Sequence, residues 1–139
     1  MLLHDLAIPG AKANLDHLLV GPTGVWLLDS KRWRGHVGVD QTGLLWHGRR
    51  PAADTLRTLW WEVTQVDLAL AAAGCTLGAR PVLAVTDAWL TAPVVDARGV
   101  TVTHPALLAE IVHTASVVLR QQDVPVVAAV LREWFPPAA

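Results

Sequence analysis

Three charged side chains lie within a short, mostly apolar stretch of the sequence, residues 14–31 (NLDHLLVGPTGVWLLDSK): Asp16, Asp29 and Lys31. Charged groups are costly in a half-buried sheet unless another charge or an ion pairs with them. Two carboxylates and a lysine are also residue types that can bind a divalent cation and position a water for hydrolysis. This stretch is therefore the first candidate for chemistry.

The turn sequence GPTG determines which residues of this predicted hairpin oppose each other. With a loop of two or four residues, Asp16 lies opposite Asp29. Asn14 then lies opposite Lys31 on the same face, because side chains alternate along strands. Opposed Cβ atoms are roughly 4.5–5.5 Å apart, so the two carboxylates repel unless a proton or a cation lies between them.

Two interpretations of this cluster follow from the residues alone. A Mg²⁺ ion would remove the repulsion, and Lys31, about 6.6 Å beyond Asp29 along the strand, could orient the attacking water. Alternatively, Lys31 neutralises both acids in a purely structural cluster. A three-residue loop or a bulge would change the pairing and separate Asp16 from Asp29.

Composition predicts a single domain over residues 1–139 with a substantial core, because 53% of the residues are hydrophobic and only 17% are charged. Cys75 is the only cysteine, which excludes a disulfide framework and a thiolate metal site. The six histidines lack the spacing of a zinc site. The start of the chain does not resemble a signal peptide, and we expect a soluble cytoplasmic protein.

The pattern of apolar residues and turn signals predicts one mixed α/β sheet flanked by helices. We expect a strand over 2–8, strands over 14–20 and 25–32, and a second hairpin from 35–39 and 44–47. A long helix over 51–73 follows, and then strands over 80–88 and 99–103 and helices over 105–119 and 123–134. Asp123 is the expected cap of the last helix. Four tryptophans are expected to pack in the core or between helices: Trp60, Trp61, Trp89 and Trp134. His17 points away from Asp16 and is expected to be a structural histidine of the core.

A basic segment follows the charged hairpin, although the net charge of the chain is only −1. Five of the eleven Lys and Arg residues lie between residues 31 and 50, and Asp40 is the only acid there. The segment can bind phosphates through Arg32, Arg34, Arg49 and Arg50, with Trp33 and Trp46 stacking on nucleotides. It is equally compatible with a solvated hairpin that these tryptophans pack.

Residues 4–35 (HDLAIPGAKANLDHLLVGPTGVWLLDSKRWRG) resemble the central block of the NERD, or nuclease-related, domain. In that block an N-[IL]-D-H strand precedes a V-G-P-x-G-V turn, a D/E-x-K strand and a basic segment with Gly. The following GLLWHGR (residues 43–49) is similar to the next hairpin of the family. Beyond about residue 51 the resemblance is in the order of elements.

The resemblance implies a PD-(D/E)xK, restriction-endonuclease-like fold and cleavage of DNA with Mg²⁺ or Mn²⁺. Carried over residue by residue, it makes Asp16 and Asp29 the metal-binding acids and Lys31 the catalytic lysine. It also implies a metal ligand at the backbone carbonyl of Ser30. Gln65 is the candidate for a supporting glutamine on the following helix, or else an ordinary polar residue on its exposed face.

Members of the family usually carry a helix before the first strand, with a Gly-Glu pair whose Glu joins the active site. The sequence begins at MLLHDL, in the first predicted strand, so we expect the fold to lack this helix. The sequence thus leaves two functional hypotheses. One is a Mg²⁺-dependent DNA nuclease domain, and the other is a catalytically inactive nucleic-acid-binding or protein-interaction module of the same fold.

Overall fold

The computed structural model describes residues 1–138 and shows a mixed sheet of eight strands with three α-helices. The strands are β1 (Leu2–Ala7), β2 (Asn14–Gly21), β3 (Gly24–Val39), β4 (Leu45–His47), β5 (Arg50–Pro51), β6 (Ala79–Leu90), β7 (Val94–Ala97) and β8 (Val100–Thr103). The helices are α1 (Ala53–Ala72), α2 (Leu108–Thr114) and α3 (Val124–Trp134). The main sheet has the order β1-β2-β3-β6-β8-β7, and β4 and β5 extend from β3. The predicted fold class, a mixed sheet flanked by helices, is confirmed, and it is consistent with a restriction-endonuclease-like domain.

The long strand β3 links the antiparallel and parallel halves of the sheet. It pairs with β2 from Gly21–Gly24 to His17–Leu28, so Pro22 and Thr23 form a two-residue loop. Beyond Leu28, β3 continues in parallel with β6. This register is the one predicted for the two-residue turn, and it makes Asp16 and Asp29 the next opposed positions.

Helix α1 packs on one face of the sheet with an apolar stripe at helical spacing. Its buried residues include Leu56, Leu59, Val63, Val66 and Leu70, which join Val25 and Leu27 of β3 and residues of α3 in one core. The predicted helix is confirmed to within two residues at each end. It stops before Gly74, whose φ of +79° favours glycine.

The buried tryptophan of the fold is Trp26, on the other face of β3. Its Nε1 donates to Oγ1 of Thr23 (3.0 Å), and the guanidinium of Arg80 lies 4.1 Å from the ring centroid. The prediction that four other tryptophans are core residues is wrong as regards burial, because they are between 40% and 64% exposed: Trp60, Trp61, Trp89 and Trp134.

The segment after β8 differs from the predicted helix over 105–119. A 3₁₀ turn (Pro105–Leu107) leads into α2, which ends at Thr114. Ala115 is extended, and the backbone N–H groups of Val118 and Leu119 donate to the carbonyl of Pro22. The chain therefore leaves the helical pattern after Thr114, because backbone N–H groups of this segment donate to the carbonyl of Pro22 in the turn between β2 and β3.

Two further local features differ from the prediction. Strand β7 was not predicted, and it forms a hairpin with β8 through a turn at Arg98 and Gly99, which have φ of +51° and +88°. Asp123 precedes α3, but its side chain makes no capping hydrogen bond and instead accepts one from Arg120 (2.8 Å). Within residues 1–138, no helix is long and apolar enough to span a bilayer.

Candidate active site

Asp16 and Asp29 come together where β2 and β3 cease to pair. The last paired residues are His17 and Leu28, and the carboxyl groups of the next two positions, Asp16 and Asp29, interact with each other. Two ionised carboxylates placed next to each other repel, which favours the protonated form of Asp29. Burial, the hydrogen bond with Asp16 and the charge of Asp16 raise the pKa of Asp29 to about 6, against the opposing effect of Lys31.

Lys31 stands beside this pair, with Nζ 3.5 Å from Oδ2 of Asp29. The side chain of Asp29 is only 16% exposed, whereas that of Lys31 is 40% exposed, so the ammonium group lies at the opening of the site. The backbone N–H of Ser30 donates to Oδ1 of Asp29 (3.0 Å) and holds the orientation of the carboxylate. The D-x-K stretch thus presents one oriented carboxylate and one accessible ammonium group.

A third carboxyl group, which the sequence analysis did not identify, reaches the site from α1. Glu62 is buried (8% exposed) between Leu59 and Val66 on the apolar stripe of the helix. Burial, followed by the charges of Asp29 and Asp16, raises the pKa of Glu62 to about 7, and the charge of Lys31 opposes this rise. The signal in the sequence was an acid at a core-facing position of an amphipathic helix.

Gln65, the residue proposed from the resemblance, lies one helical turn after Glu62 on the same side of α1. It is half-buried. The side chain of α1 that interacts electrostatically with both aspartates is Glu62. A supporting role for Gln65 remains a prediction.

The donor set can be compared with the needs of a divalent cation. Mg²⁺ prefers hard oxygen ligands, binds through one or two carboxylates and retains several waters. Asp16 and Asp29 provide such a pair, and Glu62 is an additional oxygen donor from the helix. Among residues 1–138, no three His, Cys, Asp or Glu side chains are gathered closely enough to hold a metal by themselves. The residues therefore suit a hydrated ion held by a small number of carboxylates.

The arginines of the basic segment lie at the surface around β3, β4 and β5. Nε of Arg32 is 2.8 Å from Oδ2 of Asp87, and by strand alternation Arg32 is on the opposite face from Lys31. The remaining three are exposed: Arg34, Arg49 and Arg50. Arg32 is thus partly neutralised by its partner, and nucleic-acid binding by this segment remains a prediction.

The two tryptophans of the basic segment pack within the hairpin. Trp33 stacks on His47, with ring centroids 5.0 Å apart and planes within 9°. Nε1 of Trp46 donates to Oδ2 of Asp40 (2.8 Å). Hydrogen bonds from Thr42 and Trp46 lower the pKa of Asp40 to about 2. Of the two interpretations of these tryptophans, these contacts favour hairpin packing.

His17 is half-buried and lies opposite His4 in the β1–β2 pairing, with their rings stacked at 6.0 Å. The expectation of a core histidine is therefore wrong as regards its burial. It lies on the sheet face opposite Asp16, as strand alternation predicts.

One comparison with known proteins identifies a family for this chain. The profile of the nuclease-related domain, NERD, matches residues 1–84, which is more than half of the chain and includes Asp16, Asp29, Lys31 and Glu62. No curated protein and no solved structure matches the chain. The extent of the profile match shows that the chain belongs to the nuclease-related domain family.

Proposed function

We propose that this domain is a DNA nuclease that hydrolyses phosphodiester bonds with Mg²⁺ or Mn²⁺. The observation that carries the proposal is the convergence of Asp16, Asp29 and Glu62 beside Lys31. Membership of the nuclease-related family supports a role in nucleic-acid processing.

The charges of the cluster favour a functional role over a purely structural one. A structural cluster on β2 and β3 needs only enough positive charge to neutralise its acids, and Lys31 supplies one positive charge. Glu62 adds another carboxyl group, buried beside two acids, and the raised pKa shows that its ionised form is disfavoured there. An apolar residue at this position of α1 would avoid that penalty.

Each residue has a role in this proposal. Asp16 and Asp29, with the Ser30 carbonyl, would hold the cation, and Glu62 would accept hydrogen bonds from its waters. When bound, the metal acts as a Lewis acid and lowers the pKa of a coordinated water. Lys31, accessible at the opening, positions the attacking water and offsets the negative charge that develops on the phosphate.

The phosphate backbone would be held by the exposed arginines Arg34, Arg49 and Arg50. Their charges neutralise phosphates without reading the bases. The low net charge of the chain does not oppose this, because the basic residues are concentrated in one segment.

The proposal is tested with purified Asp29→Asn and Lys31→Gln variants and a Glu133→Gln control. Glu133 is an exposed acid on α3, so its replacement changes charge outside the site. We expect Mg²⁺-dependent cleavage of labelled DNA to fall at least about 100-fold in the first two variants and to remain unchanged in the control. Cleavage that survives in both site variants would show that the site assignment is wrong.

Calorimetric titration separates this function from a catalytically inactive module. We expect the wild type to bind Mg²⁺ or Mn²⁺ and the Asp16→Ala variant to lose that binding. If the wild type binds DNA but binds neither metal at millimolar concentration, the domain is the inactive nucleic-acid-binding module.

A further inference from the structure

Two consecutive tryptophans on α1, with nearly equal exposure, have different surroundings. Nε1 of Trp60 donates to the carbonyl of Arg98 (3.2 Å), and its ring packs on Gly99. A Cβ atom at Gly99 would lie 2.8 Å from Cζ2 of this ring, so Trp60 fits closely against the β7–β8 turn. Trp61 is 41% exposed, and its indole has no hydrogen-bond partner within residues 1–138.

Trp61 forms one wall of an open cleft of about 390 Å³. The other lining residues are Ala13, Arg57 and Thr58. Arg57 supplies the positive charge of this surface, and its Nη1 lies 2.6 Å from Oδ1 of Asp54 in a solvent-exposed pair. These four residues, which we call the base cleft, therefore combine an exposed aromatic ring with an arginine whose charge is partly neutralised by Asp54.

The base cleft lies between the same two elements that carry the acids of the candidate site. Ala13 immediately precedes β2, which carries Asp16, and Trp61 immediately precedes Glu62. Thr58 is exposed and lies four residues before Glu62 on the same side of α1, about 6 Å along the axis. Since stacked nucleotides rise about 3.4 Å each, this offset corresponds to one or two nucleotides.

We propose that the base cleft binds an unpaired nucleobase of the substrate strand, stacked on Trp61, next to the phosphate that is cleaved. This inference rests on the proposed nuclease function and specifies its substrate as single-stranded or locally unpaired nucleic acid. Indole rings stack on any base, and Arg57 can contact the adjacent phosphate or the base. A base inside a duplex is already covered on both faces and cannot enter without being unstacked.

The test compares wild type with Trp61→Ala, Trp61→Phe and Trp134→Ala. Trp134 is a matched control, because it is also exposed but lies on α3. The probes are a labelled single-stranded oligothymidylate and a blunt duplex of equal length, with binding measured by fluorescence anisotropy in EDTA and cleavage measured in Mg²⁺. Circular dichroism and thermal unfolding verify that each variant is folded.

We expect Trp61→Ala to weaken single-strand binding about 5- to 150-fold, the range for the loss of one stacked base. Binding of the duplex should change less than about twofold. Trp61→Phe should restore most of the affinity, because a phenyl ring still stacks, and Trp134→Ala should behave as wild type. In the cleavage assay, the KM for the single strand should rise while kcat changes little.

Failure of this inference is distinct from failure of the proposed function. If wild type cleaves the probes and Trp61→Ala binds the single strand as tightly as wild type, the base cleft is refuted and the nuclease proposal stands. Equal losses of affinity for the single strand and the duplex would also refute the base cleft, because only an unpaired base can stack on Trp61. If wild type cleaves neither probe, the nuclease proposal fails, and selective loss of single-strand binding in EDTA would still support the cleft.

Discussion

Glu62 on α1 and Asp29 on β3 interact electrostatically in the candidate site: burial and then the charge of Asp29 raise the pKa of Glu62 to about 7. The pKa of Asp29 is itself raised to about 6, first by burial and then by its hydrogen bond with Asp16. The folded protein therefore binds protons near neutral pH that the unfolded chain has released. This relationship underlies the first three predictions.

We predict that the metal-free protein loses stability as the pH rises from about 4 to about 8. The ordinary pKa values of Asp29 and Glu62 are 3.8 and 4.5, and folding raises both, so the folded state binds more protons in this window. Since each unit by which a pKa is raised corresponds to about 1.4 kcal/mol, the two groups together give an upper limit of roughly 6 kcal/mol, and we expect a loss of a few kcal/mol because the groups are coupled. Urea unfolding in EDTA at several pH values measures it.

The control for this prediction is the double variant Asp29→Asn and Glu62→Gln, whose stability should be nearly independent of pH in the same window. Asp40 does not interfere, because its pKa is lowered to about 2 and its contribution is lost only as the pH falls below about 4. A wild-type protein whose unfolding free energy rises between pH 4 and pH 8 would contradict the assigned pKa shifts.

Adding Mg²⁺ should counteract this loss. A cation binds the ionised carboxylates of the folded state, so it stabilises that state in proportion to its free concentration and affinity. We expect the rise in Tm with Mg²⁺ to be larger at pH 8 than at pH 5, because protons compete for the same oxygens. Asp16→Asn should lose most of the rise, whereas Glu133→Gln should keep it, as thermal unfolding with and without EDTA will show.

Glu62 should matter more for cleavage than Gln65. The carboxyl of Glu62 interacts with both aspartates, so Glu62→Gln should lower Mg²⁺-dependent cleavage about 100-fold while stabilising the metal-free fold at pH 8. Gln65→Ala should lower cleavage less than about 10-fold. Equal losses in the two variants would instead favour the glutamine expected from the family resemblance.

The exposed arginines should differ in their contribution to DNA affinity. Arg34→Gln or Arg49→Gln should each reduce the slope of log K against log salt concentration by about 1, because each removes one phosphate contact. Arg32→Gln should reduce it less, since Arg32 already pairs with Asp87. Titrations of a DNA probe at several salt concentrations provide the slopes, and three equal slopes would refute the distinction.

The sequence by itself determined the features that depend on local chemistry and strand alternation. The turn after Val20 set the register of β2 against β3, and alternation then placed Asp16, Asp29 and Lys31 on one face. Helix α1 was predictable because its apolar residues recur at helical spacing. Strand β6 was predictable because its apolar residues form a short continuous run, which is typical of a buried strand.

Only the tertiary structure decided how distant segments meet. Glu62 looked like one acid on an amphipathic helix until α1 was packed over β3, and the register of that packing depends on the whole core. The segment after Thr114 leaves its helical pattern because its N–H groups bond to Pro22, far away in sequence. Likewise, Trp60 packs on the β7–β8 turn and Trp61 lines the base cleft, although the two are almost equally exposed, because helix rotation against the sheet, rather than residue type, decides what each ring contacts.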